Sequence, residues 1–275
     1  MSTLFVLATP IGNLEDLSVR VSRILSEVDQ VAAEDTRRTG RLLKQLSITT
    51  PMVSLHDHNE KQLAEELVHE LLQGKDMALV SDAGTPLISD PGYELVRLCH
   101  EAGIVVVPVP GPSSVTAALS VSGIATDRFA FEGFVPAKPK ARAAFFRELS
   151  TESRTLVMFE TPHRIEASLK AMAQEMGDQR RMTLCRELTK TYEQIVTGVI
   201  PEVLKKVVSG EVPAKGEFVL VVSGSDDVVV TEADSILQAL LTELPPSKAA
   251  SIAATLTEHS KSVLYERALV LKESS

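Results

Sequence analysis

The feature that most constrains the fold is an alternation of short apolar runs with segments of helical periodicity through the first half of the chain. One such segment places Leu63, Leu67 and Leu71 on a single face, with Asn59 as a candidate cap before it and Gly74 after its end. Short buried strands that alternate with helices indicate a mainly parallel sheet covered by helices. The apolar runs are Leu4–Ala8, Val31–Ala33, Met77–Val80 and Ile104–Val109.

Three of these runs lead into loops that are rich in proline, glycine and hydroxyl residues. The loops span residues 9–13, 81–86 and 110–114, and the second opens the stretch SDAGTPLISDPG. Each loop alone is typical of a surface turn. Ligands of open α/β sheets bind beyond the carboxyl ends of the strands, where all three loops are expected to lie. Together they therefore predict a ligand site.

The residue types in these loops indicate what the ligand is like. Asp82, Gly84 and Thr85 can present amides, carbonyls and one carboxylate. Ser113 and Ser114 begin a predicted helix, whose first N–H groups lack partners within the helix. These groups suit a cofactor with an amino-acid tail, a ribose and a base, without identifying it.

The second half is predicted to be another α/β unit, followed by a helical segment. Residues 129–135 and the basic, proline-containing residues 136–142 are interpreted as a linker. Asp226–Ser275 holds eight acidic and four Lys or Arg residues, and its short helices indicate a helix-turn-helix type of appendage or a packing element. The predicted domains are residues 1–120, 121–225 and 226–275.

Several classes of function are excluded by missing patterns. The chain has no G-x-x-x-x-G-K-[ST], G-x-G-x-x-G or G-x-S-x-G pattern. His56, Asp57, His58 and Glu60 lack a further ligand cluster, so no metal is predicted. The two cysteines are far apart in sequence, and the chain has no signal-like or membrane-spanning run. We therefore expect a soluble cytoplasmic protein. The net charge of -9 disfavours RNA binding through overall charge but leaves room for a local basic patch.

Eight blocks in order over residues 4–222 resemble one family closely. The blocks resemble the ribosomal RNA small-subunit 2′-O-methyltransferase branch of the tetrapyrrole methylase superfamily, and the helical tail resembles the extra C-terminal segment of that branch. Tetrapyrrole-methylating relatives usually have a glycine-rich first loop, whereas TPIGNLED has a single glycine, which favours the RNA branch. The blocks are TPIGNLEDLSVR, AEDTRRTGRLL, SDAGTPLISDPG, VPGPSSVTAAL, FEGFVPAKPKAR, FETPHRI, CRELTKTYE and KGEFVLVV.

This resemblance implies a fold, a cofactor and a reaction. It implies two α/β domains with S-adenosylmethionine in the cleft between them, a homodimer, and methylation of the ribose 2′-hydroxyl of a decoding-centre cytidine in 16S rRNA of the small ribosomal subunit. The residues expected to line the cofactor are Pro10, Asp82, Gly84, Thr85, Ser113, Ser114, Phe159, Glu160, Glu187, Glu217 and Phe218.

The candidates for a general base are Glu34, Asp35 and Glu187, with Lys190 stabilising the alkoxide. Helix capping and structural ion pairs are alternative roles for these side chains. Arg164 is expected to serve either substrate or cofactor. The basic residues that would guide RNA are Arg37, Arg38, Arg41, Lys138, Lys140 and Arg142, which are also compatible with plain solvated helix faces. The alternative functions are a small-molecule methyltransferase of the tetrapyrrole type and a non-catalytic cofactor-binding protein of ribosome assembly.

Overall fold

The first half forms the predicted parallel sheet, in a computed structural model that describes residues 2–56, 58–225, 231–257 and 259–273. Its strand order is β3-β2-β4-β1-β5, and all neighbouring strands are parallel. The short edge strand β3 was not predicted. The strands are β1 (Thr3–Leu7), β2 (Gln30–Ala33), β3 (Met52–Ser54), β4 (Met77–Val80) and β5 (Val105–Val109).

Helices cover both faces of this sheet. Leu7 and Val80 pack on one face with the first two helices, whereas Leu4 and Leu79 pack on the other with the next two. Both faces are buried, which explains why the strands are continuous apolar runs. The helices are α1 (Val19–Glu27), α2 (Thr36–Gln45), α3 (Glu60–Leu72), α4 (Tyr93–Glu101) and α5 (Ser114–Ser122).

One predicted cap is wrong in its chemistry. Helix α3 begins after Asn59 and ends before Gly74 as expected, but the Asn59 side chain makes no capping hydrogen bond. Its amide instead accepts from the His56 N–H and donates to the Ser54 carbonyl, both at 2.8 Å. Asn59 therefore closes the loop after β3.

The second half contains a mixed sheet in the order β6-β7-β10-β8-β9. Strands β6 and β7 are parallel, and every other neighbouring pair is antiparallel. The strands are β6 (Phe129–Phe134), β7 (Thr155–Glu160), β8 (Arg181–Arg186), β9 (Gln194–Val199) and β10 (Phe218–Val222), and the helices are α6 (Pro139–Glu148), α7 (Ile165–Met176) and α8 (Ile200–Val208).

The linker predicted over residues 129–142 is wrong. Residues 129–134 form β6, and α6 begins at Pro139. Proline is tolerated at the first helical position because the N–H that it lacks would have no partner there. The proline therefore starts a helix that buries Phe146 instead of interrupting one.

Helix α5 joins the two sheets into one compact unit over residues 1–224. It follows the last strand of the parallel sheet, yet Val115 and Leu119 pack against Val157 and Val219 of the mixed sheet. The predicted boundary at residue 120 falls inside this helix, so the division into 1–120 and 121–225 stays a prediction.

Residues 225–275 form a second compact unit, and the described residues of this unit form three helices. Small residues, Ala249, Ala250 and Ala253, let the helices approach around Leu237 and Leu264. The predicted start of this unit at Asp226 lies outside the described residues, as does Glu258. The helices are α9 (Thr231–Leu241), α10 (Pro246–Leu256) and α11 (Lys261–Glu273). Among the described residues, no helix is long and apolar enough to cross a bilayer.

Candidate functional site

The three predicted loops meet at the carboxyl edge of the parallel sheet. Thr9 and Gly84 exchange two backbone hydrogen bonds, at 2.8 and 3.0 Å. The Thr85 hydroxyl donates to the Pro112 carbonyl at 3.1 Å. The loops thus form one continuous bonded surface, as the sheet topology predicts.

This surface requires unusual backbone geometry. Gly84 has a φ of +88°, a conformation that glycine adopts without the steric cost that a side chain brings. Leu87 and Ser89 have φ of +72° and +67°, which is uncommon for residues with a side chain. Such strain clusters at functional sites.

A cleft of about 410 Å³ separates this surface from the mixed sheet, and we call it the main cleft. It receives side chains and backbone from both halves of residues 1–224. The predicted residues that line it are Glu34, Arg38, Asp82, Gly84, Thr85, Ser113, Ser114, Phe159, Glu160, Glu217 and Phe218. Residues that were not predicted include Ile11, Ser89, Asp90, Phe134, Cys185 and Leu188.

An aromatic pair forms part of the mixed-sheet wall. The rings of Phe134 and Phe159 meet edge to face with centroids 5.3 Å apart. Phe134 is 53% exposed and lines the main cleft, so its ring is available to a planar ligand group. The block FEGFVPAKPKAR contains Phe134, but only the pairing of β6 with β7 shows that it reaches the site.

Glu160 is a buried carboxylate at the end of β7. It accepts hydrogen bonds from the Thr161 N–H at 2.6 Å and from the Ser168 hydroxyl. Its oxygen also lies 3.0 Å from the Arg164 guanidinium, which bonds to the Thr161 hydroxyl as well. Arg164 is therefore engaged within the protein, beside the main cleft.

Glu34, Asp82 and Arg38 form a charged group on the parallel-sheet wall. The Asp82 N–H donates to Glu34 Oε2 at 3.1 Å, and the Arg38 guanidinium lies 3.1 Å from Asp82 Oδ2. Burial raises the pKa of Asp82 above its ordinary value, although Arg38 acts in the opposite direction. Because this group combines two acids with one base, it favours a ligand with positive character.

Asp35 caps α2 and does not line the main cleft. It accepts hydrogen bonds from the Arg37 side chain at 2.7 and 3.0 Å and from the Arg37 N–H at 2.8 Å. The Arg37 hydrogen bonds hold the pKa of Asp35 well below its ordinary value. Since a weakly basic, occupied carboxylate is a poor proton acceptor, the geometry supports the capping alternative.

Glu187 and Lys190 form an ion-pair network beside the main cleft. Lys190 Nζ lies 2.7 Å from Glu187 Oε1 and 2.9 Å from Glu217 Oε2. Burial alone would raise the pKa of Glu187, but hydrogen bonds from Lys190 and from the Glu217 N–H leave it below its ordinary value. Glu187 and Thr189 have φ of +51° and +66°, so this loop too is strained. The Lys190 stem lies over Gly12, where an added Cβ would come within 2.4 Å of it.

The predicted basic residues do not share one surface. Lys138 and Lys140 are exposed at the start of α6. Arg142, one turn later, is only 7% exposed, so its placement on a basic surface is wrong: it lies on the face of α6 that packs inward. Arg38 and Arg41 line a second, smaller cavity of about 190 Å³, and Arg37 is exposed on α2. Pro10, which was predicted to line the cofactor, lines this smaller cavity and not the main cleft.

The residues considered as metal ligands make other contacts where the structure describes them. The Glu60 carboxylate accepts the N–H groups of Gly92 and Glu94 at 2.9 and 2.8 Å and so caps α4. The rings of His56 and His58 contact each other, and Asp57 lies outside the described residues. Across the described parts of the chain, no group of three or more acidic, histidine or cysteine side chains is placed to hold a metal.

Both cysteines are buried, Cys185 against the main cleft and Cys99 in the core of the first half. Burial raises the pKa of Cys99 to about 11 and that of Cys185 to about 12. Since the thiolate is the nucleophile, neither side chain is suited to nucleophilic chemistry at neutral pH.

The main cleft fits the cofactor that the resemblance implies. Its volume lies within the range of about 300–1,000 Å³ for small-molecule sites. The carboxylates of Glu34 and Asp82 suit a sulfonium or ammonium group, and the backbone at Ser113 and Ser114 suits a carboxylate. The close packing at Gly84, where a Cβ would lie 3.3 Å from Ile11, leaves room for a ligand only because no side chain is present.

Comparison with known proteins defines the class to which this two-sheet fold belongs. Residues 3–204 match the family described as Tetrapyrrole (Corrin/Porphyrin) Methylases, and residues 227–272 match the RsmI C-terminal HTH domain. The fold is similar to the crystal structure of uroporphyrin-III-C-methyltransferase from Thermus thermophilus, with a TM-score of 0.56 and 18% identity over 81% of this chain and 94% of that one. The chain therefore belongs to the tetrapyrrole methylase family, and the predicted α/β fold, with its two sheets and a helical C-terminal segment, is confirmed.

Nearer relatives share the whole length. Proteins named Ribosomal RNA small subunit methyltransferase I are similar to this chain in Xylella fastidiosa, with 48% identity over 96% of this chain and 97% of theirs. The protein of Vibrio cholerae is 48% identical over 96% of this chain and 93% of its own length. The protein of Escherichia coli O157:H7 is 47% identical over 97% of this chain and 94% of its own length. The resemblance to ribosomal RNA small-subunit methyltransferases that the sequence blocks predict is thus confirmed.

Proposed function

We propose that this protein uses S-adenosylmethionine to methylate the ribose 2′-hydroxyl of a decoding-centre cytidine in 16S rRNA of the small ribosomal subunit. The main cleft carries this proposal, because it gathers from both sheets the residues that the family resemblance assigns to the cofactor, with the exception of Pro10 and Glu187. The names of the relatives support the small-subunit rRNA as substrate. The homodimer and the cytoplasmic location stay predictions.

The cofactor residues are proposed to act in two sets. Asp82, Gly84 and Thr85, with Ser113 and Ser114, bind through backbone groups and one carboxylate. Phe159, Glu160, Glu217 and Phe218 close the opposite wall. When bound, S-adenosylmethionine supplies a methyl group that is already activated, so alignment by the two walls provides a large part of the acceleration.

Glu34 is proposed as the proton acceptor for the 2′-hydroxyl. It lines the main cleft, and its carboxylate is held by the Asp82 N–H. Asp35 and Glu187 are bound to Arg37 and Lys190, so we assign them positioning roles. Lys190 holds the strained loop that places Leu188 in the wall of the cleft.

The RNA is proposed to approach along exposed basic residues. Lys138 and Lys140 at the start of α6, and Arg37 on α2, extend into solvent. Such residues provide a local positive path despite the overall charge of -9. The ribose of a splayed, single-stranded nucleotide presents its 2′-hydroxyl to a protein more readily than one in a helix.

The proposal is tested with tritiated S-adenosylmethionine and undermethylated small ribosomal subunits, followed by nuclease mapping of the labelled nucleotide. We expect label on one ribose 2′-oxygen. Glu34→Gln should lower kcat by about 100-fold or more, the typical contribution of a general base. Glu15→Gln, an exposed change outside the main cleft, is the matched control.

Three results would contradict the proposal. Cofactor binding without transfer to subunits or naked rRNA would indicate a non-catalytic protein. Transfer to a tetrapyrrole instead of RNA would indicate the small-molecule alternative. Label on a base, with none on the ribose, would retain the methyltransferase and exclude the 2′-hydroxyl as its target.

A further inference from the structure

The smaller cavity of about 190 Å³ adjoins the main cleft through shared residues. Arg38 and Asp82 line both spaces. Thr9 lines the smaller cavity and Gly84 the main cleft, and these two residues are joined by the pair of backbone hydrogen bonds. The two spaces are therefore neighbours that share the wall formed by Arg38 and Asp82.

The two spaces differ in charge. The main cleft is lined by the carboxylates of Glu34, Asp82, Asp90, Glu160 and Glu217 and by one arginine, whereas the smaller cavity is lined by Arg38, Arg41 and the single acid Asp82. Arg38 is already paired with Asp82 at 3.1 Å. Arg41 is exposed and has no ion-pair partner among the residues that the structure describes. The smaller cavity therefore favours an anionic ligand.

A buried hydroxyl gives a second indication of a ligand. Ser81 lines the smaller cavity and is 3% exposed, and its hydroxyl has no hydrogen-bond partner in the described part of the chain. Buried polar groups are nearly always hydrogen-bonded in native proteins. Gln45 adds an amide with donors and an acceptor to the same cavity.

The size of the cavity limits what it holds. About 190 Å³ is below the range of about 300–1,000 Å³ for a complete small-molecule site. The cavity is thus small and favours an anion. A short piece of a longer anionic chain fits both properties, because the rest of that chain continues outside the cavity.

We propose that the smaller cavity receives one sugar–phosphate unit of the acceptor RNA, with Arg41 on its phosphate and Ser81 and Gln45 as hydrogen-bonding groups. This inference rests on the proposed function. It places the acceptor strand next to the wall that Asp82 and Arg38 share with the main cleft, and it gives Arg41, which was expected to guide RNA, a defined contact with one phosphate.

The first experiment compares Arg41→Gln with Arg20→Gln, which removes the same charge from an exposed arginine of α1 outside both cavities. With undermethylated small subunits, we expect Arg41→Gln to raise KM by about tenfold, as for loss of a phosphate contact, and to leave the Kd for S-adenosylmethionine unchanged. The slope of log binding constant against log salt should fall by about 1 for Arg41→Gln in equilibrium binding to single-stranded RNA. Arg20→Gln should match the wild type in all three.

The second experiment reports occupancy without methyl transfer. The sequence contains no tryptophan, so a single introduced tryptophan is a clean fluorescence probe. Leu14→Trp places it at the 47% exposed edge of the smaller cavity, and Leu72→Trp places a control at the exposed end of α3. We expect a short single-stranded RNA that contains cytidine to change the emission of Leu14→Trp only.

The outcomes separate this inference from the proposed function. If wild-type protein methylates subunits but Arg41→Gln and Arg20→Gln behave alike, the cavity does not hold the acceptor. An equal response of Leu14→Trp to free cytidine monophosphate and to RNA overturns it as well, since the site would then take a free nucleotide. If the RNA signal is selective for Leu14→Trp and sensitive to Arg41→Gln while no methyl is transferred, RNA binding stands and the proposed reaction fails.

Discussion

The two walls of the main cleft are built by different means. On the parallel-sheet side, loops are joined to one another by backbone hydrogen bonds, as between Thr9 and Gly84. On the mixed-sheet side, side-chain ion pairs such as Glu160–Arg164 and Glu187–Lys190 fix the wall. The joined loops of the first wall are therefore expected to be sensitive to changes of shape, and the ion pairs of the second wall to changes of charge.

The largest expected effect tests the charged wall. Glu160→Gln removes the charge of a carboxylate whose side chain has no solvent exposure and leaves Arg164 without its partner. We expect the free energy of unfolding to fall by about 3 kcal/mol, in the range for breaking a buried pair. Glu166→Gln, an exposed acid paired with Lys170 on the same helix, should change it by less than about 0.5 kcal/mol. Equal losses in urea titrations would show that burial does not distinguish the two pairs.

An intermediate effect tests the backbone wall. Gly84→Ala places a side chain at a φ of +88°, where its Cβ would be 3.3 Å from Ile11. Gly103→Ala has a comparable backbone conformation with no neighbour within 4 Å. Both variants should lose about 1 kcal/mol of stability, but only Gly84→Ala should raise the Kd for S-adenosylmethionine, by about tenfold. Calorimetry measures both quantities, and unchanged affinity in Gly84→Ala would place the cofactor away from this loop.

The smallest effect comes from the network beside the cleft and depends on pH. The pKa of Glu187 is below its ordinary value of 4.5, so its contribution to stability is present above pH 4.5 and is lost as pH falls through the folded-state value. We expect Glu187→Gln to be less stable than the wild type by up to about 1 kcal/mol at neutral pH, with the difference vanishing in acid. A difference that persists at low pH would mean that packing, and not charge, accounts for it.

The contribution of Lys190 to the stability of the same network is lost at alkaline pH. Burial alone would lower the pKa of Lys190, but its bonds to Glu187 and Glu217 leave it above the ordinary value of 10.5. The contribution of Lys190 to the free energy of unfolding is therefore present below pH 10.5 and is lost as the pH rises through the folded-state pKa of Lys190.

The sequence predicts the first wall better than the second because the two depend on different information. The carboxyl ends of parallel strands lie at one edge, so the loops after β1, β4 and β5 are expected to converge from their order alone. In the mixed sheet, neighbours such as β6 and β7 are set by long-range pairing, which no local pattern reveals. Phe134 was missed for this reason, whereas Arg142 was misplaced because residues 136–142 were interpreted as part of a linker and not as the start of a helix with an inward face.

Local charge patterns were also ambiguous. Asp35 and Glu34 are adjacent in sequence, yet one caps α2 and the other lines the main cleft. The residue at which the chain leaves β2 decides which acid caps the helix and which lines the cleft. The sequence alone leaves both roles open for each acid. The family was identified because its blocks recur in order, whereas the catalytic and RNA-binding roles of individual residues stay predictions.

The ion pair of Asp82 with Arg38 has a thermodynamic consequence for the order in which ligands arrive. Both residues face two spaces, so a ligand that draws Asp82 towards the main cleft changes the charge that Arg38 presents to the smaller cavity. Coupling between two binding equilibria is reciprocal, and each ligand alters the affinity of the other by the same factor. With the proposed ligands in these two spaces, the affinity for RNA would differ between protein that holds S-adenosylmethionine and protein that holds the demethylated product.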